Sequence, residues 1–233
     1  MEENVSVLSV PASGLKLPKS WGSRENMVQT LKKGWLKYGK FFQQAAETSK
    51  VPIQVLMAFA VVESTMNPNA ATGLTTGMMQ WNRGKGYADK VLETEFKLGR
   101  LSEKEKEILK RKGVKWDTNG KFQPITAAQQ LDPELNILIG SIYLGQYMDS
   151  IVKGEKKTPF AVDNGVLRID RIVPLYNTGE GSKYSIAAMN KKHATPLATA
   201  LNSTGVTRDY IHKILGVDGA MDVLTNELKT IVA

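Results

Sequence analysis

An almost uninterrupted run of apolar residues covers residues 51–62 and ends at Glu63. Pro52 stands where a helix would begin, because proline is favoured in the first helical turn. The run therefore predicts an apolar helix that ends in a carboxyl group. Partial burial disfavours the charged form of such a group, which suits it to donate a proton at neutral pH. General acids that cleave glycosidic bonds have this property, whereas the alternative is a helix that simply ends in an exposed Glu.

Most of the remaining chain has the spacing of amphipathic helices. Helices are predicted over residues 24–48, 102–112, 132–152, 165–176, 182–192, 206–215 and 218–231. The third of these begins at Asp132-Pro133-Glu134, which combines a capping residue, a first-turn proline and an early acid. No internal repeat and no convincing set of strands is evident in the sequence. The fold class is therefore predicted to be mainly α.

Segments rich in turn-forming residues separate these helices. Residues 1–23 predict an extended N-terminal arm, and residues 24–233 predict a single domain. Residues 64–80 and 154–164 predict loops. Residues 82–131 are polar and rich in glycine, so apart from their one helix they predict an elaborated loop or lobe.

Composition limits the chemistry that the chain can use. Its 233 residues are 42% hydrophobic, which is enough for a sizeable core, and it has no cysteine, which excludes disulfides and thiolate chemistry. The formal net charge of +8 favours polyanionic partners such as nucleic acid, anionic lipid or the acidic bacterial wall. Lysines are densest in residues 32–40 and 104–115, and the second stretch is interleaved with acids as on a solvated helix face.

Three expectations about location and partners follow. No nucleic-acid-binding motif is present, so we expect no nucleic-acid partner. No stretch is long and apolar enough to span a bilayer, so we expect no transmembrane segment. Met1–Val5 lack a basic region followed by an apolar segment, so we expect no secretory signal peptide and synthesis in a cytosol.

Several short motifs occur in a fixed order along the chain. They are Glu63-Ser64 with Asn67-Pro68-Asn69-Ala70, then Gly77-Met78-Met79-Gln80, then Asn136-Ile137 with Gly140 and Tyr143-Leu144, then Tyr176-Asn177-Thr178-Gly179, and last Thr207-Arg208-Asp209-Tyr210-Ile211. Together they resemble the catalytic domain of the soluble-lytic-transglycosylase family. That family has Glu-Ser at the end of an apolar helix, a Gly-Leu-Met-Gln turn, an Asn-Ile-x-x-Gly-x-x-Tyr-Leu helix and an Ala-Tyr-Asn-Ala-Gly motif. The resemblance covers residues 45–215.

The resemblance implies a lysozyme-like helical fold of the goose-type class that cleaves the β-1,4 bond between N-acetylmuramic acid and N-acetylglucosamine. It implies that Glu63 is the only catalytic carboxyl group, and that neither a metal nor a cofactor takes part. Glu63 would first protonate the leaving oxygen and then act as base toward the 6-hydroxyl of the sugar, which closes a 1,6-anhydro ring without water. That internal hydroxyl would replace the second carboxylate that most glycosidases need.

The same resemblance implies substrate-binding roles for a further group of residues, which are Ser64, Met79, Gln80, Tyr143, Tyr176 and Asn177. Local alternatives stand beside several of these roles. Ser64 can make a contact within its helix terminus, Met79 and Tyr143 can pack in the core, and Asn177 can cap the next turn. Gly77 is expected to permit close approach of the backbone to a ligand.

The sequence departs from the family pattern at three places. Thr178 stands where alanine is usual, and Val206 stands where the family often has a glutamate. The insertion, residues 82–131, is longer than expected and suits a lid, an additional subsite wall or a surface for a partner. His193 and His212 lack the spacing of a metal site, so they are expected to be surface or structural residues.

The leading hypothesis is a bacteriophage lytic transglycosylase that acts on the glycan strands of peptidoglycan. It would be made in the host cytoplasm and act in the periplasm or cell wall, either carried in a virion or released as an endolysin. The arm or the insertion would then dock onto phage tail or virion proteins. Two alternatives remain, a goose-type lysozyme that hydrolyses the same bond and an inactive virion structural module of the same fold.

Overall fold

A computed structural model describes residues 6–7, 12, 14–18, 21–83, 87–152, 162–163, 166–179, 182–189 and 193–232. Over these residues the protein is mainly helical, as the sequence predicts. The helices are α1 (Arg24–Ser49), α2 (Ile53–Ser64), α3 (Ala88–Lys97), α4 (Glu103–Arg111), α5 (Ala127–Leu131), α6 (Pro133–Val152), α7 (Ile169–Thr178), α8 (Lys183–Met189), α9 (Pro196–Leu201), α10 (Gly205–Leu215) and α11 (Ala220–Val232). No helix within the described residues is long and apolar enough to cross a membrane.

The described residues also contain short strands, for which the sequence holds no convincing signal. The strands are β1 (Ser6–Val7), β2 (Ala71–Thr72), β3 (Thr75–Thr76), β4 (Val162–Asp163) and β5 (Val166–Leu167). β5 lies between β1, which is parallel to it, and β4, which is antiparallel, while β2 and β3 form a separate hairpin. Two-residue strands are too short to leave a readable alternation in the sequence.

The predicted helix bounds are close for α1, α2, α4, α6, α10 and α11, and less so elsewhere. The helix predicted at 165–176 begins later, at Ile169, because the residues before it form β5. The helices α3, α5 and α9 were not predicted. Of the loop predicted at 154–164, residues 154–161 and 164 lie outside the described residues, as do residues 84–86 of the insertion and residues 180–181.

The chain forms two compact units. The first consists of Met1–Gln29 with Tyr147–Ile231, and the second consists of Thr30–Gln146. The described part of the expected arm is packed within the first unit, since Leu15 is fully buried and Lys16 forms a bridge with Val217.

The core of the first unit lies where α7 contacts α8, α9 and α10. A buried polar cluster fixes the start of α7. The Arg168 guanidinium donates to both carboxylate oxygens of Asp170 at 2.8 and 2.7 Å, and the Thr199 hydroxyl donates to the same carboxylate at 2.6 Å. Because Asp170 is fully buried, these bonds supply the partners that its charge requires.

The second unit is built around α2. Residues 55–61 are buried without interruption, so this helix has no solvated face over that length. Close contacts at glycines bring other helices together in the same unit. A Cβ at Gly34 of α1 would lie 2.8 Å from the Met66 side chain, and one at Gly145 of α6 would lie 3.3 Å from the Ser49 carbonyl oxygen.

The insertion is a folded lobe with an aromatic core of its own. The Trp116 and Phe122 rings stack with centroids 5.0 Å apart, and Phe96 of α3 meets both rings edge-on. A capping box between Ser102 and Glu105 begins α4, as the sequence predicts. The lobe is therefore fixed by packing and capping.

Candidate active site

Glu63 occupies the last turn of α2 and is half-buried. The helix ends immediately afterwards, where Thr65 has a left-handed conformation (φ 53°, ψ 38°) and its backbone N–H bonds to carbonyl oxygens of the last turn. The rigid apolar helix therefore fixes the backbone of Glu63. The negative end of the helix dipole disfavours a carboxylate at this position, which is the direction required of an acid that must carry a proton.

Ser64 is engaged within the helix terminus. Its hydroxyl donates to the Ala60 carbonyl oxygen at 3.1 Å and accepts from the Asn67 N–H at 3.2 Å. The side chain is buried. Of the two readings of Ser64, the structure shows the local contact, and a contact with substrate stays a prediction.

A continuous series of hydrogen bonds joins the end of α2 to the turn at Gln80. The Asn67 N–H donates to the Ser64 carbonyl oxygen at 3.1 Å, the Ala70 N–H donates to that of Asn67 at 3.2 Å, and the Gly77 N–H donates to that of Ala70 at 2.8 Å. The Gln80 amide Nε2 then donates to the carbonyl oxygens of Ala70 and Gly77 at 3.0 and 2.7 Å. The first two motifs are thus parts of one hydrogen-bonded assembly.

Asn136 anchors this turn, a role that the motif alone did not reveal. Its side chain is fully buried on α6. Its Oδ1 accepts from the Met79 N–H at 2.7 Å, and its Nδ2 donates to the carbonyl oxygens of Thr76 and Gln130 at 3.1 and 2.9 Å. Its own carbonyl oxygen accepts from the Trp81 indole at 3.0 Å, so Trp81 belongs to the core. An asparagine within the apolar stretch 135–140 of α6 was the available sequence signal.

Gly77 permits a close contact within the fold. Its φ of +83° favours glycine. A Cβ on this residue would lie 2.3 Å from Asn136 Nδ2 and 2.8 Å from the Gln130 carbonyl oxygen. The close approach that Gly77 permits within the fold is therefore to the Asn136 anchor, and approach to a ligand stays a prediction.

Met79 and Tyr143 differ in exposure. Met79 is fully buried, and a Cβ at Gly140 of α6 would lie 2.7 Å from its side chain, so Met79 packs into the core as the alternative reading held. Tyr143, one turn further along α6, is half-buried with its hydroxyl oxygen inside. Gln80 is half-buried, with a φ of +48° that is uncommon for a residue with a side chain.

Tyr176 and Asn177 lie at the end of α7 in the first unit, and both are half-buried. The Asn177 Oδ1 accepts from the Thr207 hydroxyl of α10 at 3.1 Å, so this side chain joins two helices. The alternative that Asn177 caps the next turn involves residues 180–181, which lie outside the described residues. Thr178 donates to the Pro174 carbonyl oxygen at 2.8 Å. Val206, at the position of the family glutamate, is 73% exposed.

Two further titratable side chains, His212 and Glu93, have structural contacts. The His212 Nδ1 bonds to the Lys16 carbonyl oxygen at 2.7 Å. Glu93 of the insertion accepts from the Phe122 N–H at 3.1 Å. Within the described ranges, no group of three His, Cys, Asp or Glu residues could hold a metal ion.

Comparisons with known proteins add no relative. No protein-family model matches the chain, and no curated protein matches it.

Proposed function

We propose that the protein is a peptidoglycan lytic transglycosylase with a lysozyme-like fold. One observation carries the proposal: a half-buried Glu63 ends a helix whose residues 55–61 are all buried, and hydrogen bonds link that end to Gln80. The backbone of such an acid keeps a fixed direction, and partial burial is how carboxyl groups in general become proton donors near neutral pH. The order of the motifs supports the same assignment.

In the proposed reaction, the Glu63 carboxyl group gives its proton to the oxygen that leaves C1 of N-acetylmuramic acid, as the C1–O bond breaks. The resulting carboxylate then takes the proton of the 6-hydroxyl of the same sugar, whose oxygen forms the new bond to C1. The products are a 4-hydroxyl on N-acetylglucosamine and a 1,6-anhydro end, and Glu63 is protonated again. One group serves as acid and then as base, and the nucleophile is intramolecular.

Gln80 is half-buried and suits a contact with the N-acetyl sugars through its amide oxygen, because its Nε2 already donates to two backbone carbonyl oxygens. Tyr143, whose hydroxyl oxygen is buried, stays a predicted substrate contact on the grounds of its motif. Tyr176 and Asn177 stay predicted substrate contacts on the grounds of their motif. Action on the wall during bacteriophage infection or lysis also stays part of the proposal, and mass spectrometry of purified virions would separate a virion enzyme from an endolysin.

Digestion of purified sacculi tests the proposal. The wild-type protein should release muropeptides with 1,6-anhydro ends, which mass spectrometry identifies by the loss of one water relative to reducing ends. Glu63→Gln should lower the rate about a thousandfold, since it removes the general acid and keeps the shape. Asp89→Asn, which removes a half-buried acid of the insertion, is the matched control and should keep the wild-type rate.

Three other outcomes would contradict the proposal. Reducing ends without anhydro ends would identify a goose-type hydrolase. No release by the wild-type protein would identify an inactive module of the same fold. Full activity of Glu63→Gln would mean that another acid does the work.

A further inference from the structure

The two lysine-rich stretches of the chain have different surroundings. In and beside α4 several of the cations form ion pairs within the fold. Lys104 pairs with Glu47 at 3.0 Å, and Lys106 pairs with Glu103 at 2.7 Å. Lys112 pairs with Asp132 at 2.8 Å. This stretch is therefore a solvated, internally compensated surface, as its alternating charges predict.

The stretch on α1 has no such compensation. Between Glu25 and Glu47 the helix carries no acid, and it contains Lys32, Lys33, Lys37 and Lys40. Among the described residues, none of these four lysines forms an ion pair. Lys33, Lys37 and Lys40 are exposed, and their spacing of four and three residues places them on one side of the helix over about 10 Å.

A leucine lies among these exposed lysines. Leu36 is 83% exposed, more than any other large hydrophobic residue in the described chain. Phe41 lies on the other flank of the lysines, and the Lys40 Nζ is 5.0 Å from the centroid of its ring. We call Lys33, Leu36, Lys37 and Lys40 the α1 lysine face. Lysines interleaved with exposed apolar side chains are typical of helices that lie on a membrane surface.

The opposite side of α1 holds the helix in place. Leu31 and Phe42 are fully buried, and Ala45 is buried as well. The α1 lysine face is therefore presented on a helix that is already folded, so binding does not require the helix to form.

We propose that the α1 lysine face binds the surface of an anionic phospholipid bilayer. The lysines match the lipid phosphates, and each basic residue near such a surface strengthens binding. Leu36 favours a bilayer over a soluble polyanion, because only a bilayer offers an apolar layer directly beneath its phosphates. This inference does not depend on the proposed enzymatic function.

Co-sedimentation with vesicles tests the inference. The full chain should bind vesicles that contain phosphatidylglycerol, release them as salt rises, and leave pure phosphatidylcholine vesicles unbound. The triple variant Lys33→Gln, Lys37→Gln, Lys40→Gln should bind about a hundredfold more weakly. The control triple Lys97→Gln, Lys115→Gln, Lys121→Gln removes equal charge from exposed positions elsewhere and should bind within about threefold of wild type.

Leu36→Ser separates a bilayer from a soluble polyanion. It should weaken vesicle binding about tenfold and leave binding to inorganic polyphosphate unchanged. Far-ultraviolet circular dichroism should show each variant folded. No binding of wild type to anionic vesicles would overturn the proposal. Equal losses of vesicle binding in both lysine triples would show that net charge, and not the α1 lysine face, causes the binding. Unchanged vesicle binding in Leu36→Ser would assign the face to a soluble polyanion.

Discussion

The turn at residues 77–80 and the end of α7 at residues 176–179 both carry motif residues, yet they are held by different means. In the first, one buried amide on α6, 57 residues away from Met79, fixes the backbone. In the second, the described contacts include hydroxyl groups from nearby residues, as Thr178 bonds within its own helix and to Ser182. A turn that depends on one buried group should fail when that group is removed, whereas a turn held by several exposed contacts should tolerate single losses.

Removal of the buried Asn136 amide should cause the largest loss of stability. Asn136→Leu leaves the Met79 N–H and the carbonyl oxygens of Thr76 and Gln130 buried without their partner. We expect a loss of about 3–5 kcal/mol in the free energy of unfolding, measured with urea. Asn177→Leu is the matched control and should cost about 1 kcal/mol, because that residue is half-buried. Equal losses in the two variants would remove the contrast between the turns.

The glycines of the two turns offer a second contrast. Gly77→Ala combines a positive φ of 83° with a Cβ only 2.3 Å from the Asn136 amide, so we expect a loss of about 3 kcal/mol. Gly179 has a similar φ of 77°, but nothing lies within 4 Å of a Cβ there. Gly179→Ala should therefore cost only backbone strain, about 1–2 kcal/mol. A larger loss at Gly179 in thermal or urea unfolding would show that strain, and not contact with Asn136, sets the cost at Gly77.

Much of the fold around these turns could be predicted because its signals are local. The start of α6 is an example, since the Asp132 side chain accepts from the Leu135 N–H at 2.9 Å as its capping pattern predicts. The start of α3 gave no such signal, because Tyr87 makes no capping hydrogen bond with its side chain. The aromatic core that stabilises the insertion joins residues 96, 116 and 122, and no periodic pattern reveals a contact over such spacings.

The candidate site also combines features that follow from local sequence with contacts between residues far apart in the chain. The position of Glu63 follows from the apolar run before it, which is continuous in the sequence. The role of Asn136 does not, because its partners lie from 6 to 60 residues away along the chain. The intramolecular contact at Gly77 could not be predicted for the same reason, since what its missing side chain makes room for comes from a distant helix. The sequence therefore predicts where Glu63 lies on its helix, but it does not predict which residues contact Asn136 and Gly77.

Low pH should also destabilise α6, which anchors the first turn, but by less than these substitutions. Hydrogen bonds from Arg111, and also from Lys112, lower the pKa of Glu134 in the first turn of α6 below its ordinary value near 4.5. A group whose pKa is lower in the folded state stabilises the protein above that ordinary value, and the contribution is lost as pH falls through the folded-state pKa. Because Arg111 is 57% exposed and solvent screens the pair, we expect at most about 1 kcal/mol.

Urea unfolding between pH 6 and about pH 3 measures this contribution. Glu134→Gln should flatten the fall in stability on the acid side of that window. Glu103→Gln is the control, since the pKa of Glu103 is lowered by a hydrogen bond from Lys106 but its carboxylate is exposed, and its profile should match wild type. If the free energy of unfolding of Glu134→Gln falls with pH as steeply as that of the wild type, the ion pair does not stabilise α6.

The smallest effect should come from the contact that joins α7 to α10. Thr207→Val keeps the shape of a buried side chain and removes only the hydroxyl that donates to Asn177. We expect a loss of about 0.5–1 kcal/mol, because Asn177 is half-buried and water can replace the bond at its amide. In a double-mutant cycle with Asn177→Ala, the coupling energy should stay below about 1 kcal/mol. A coupling as large as the loss in Asn136→Leu would mean that one group also holds the second turn, and the two turns would then differ only in the residue that anchors them.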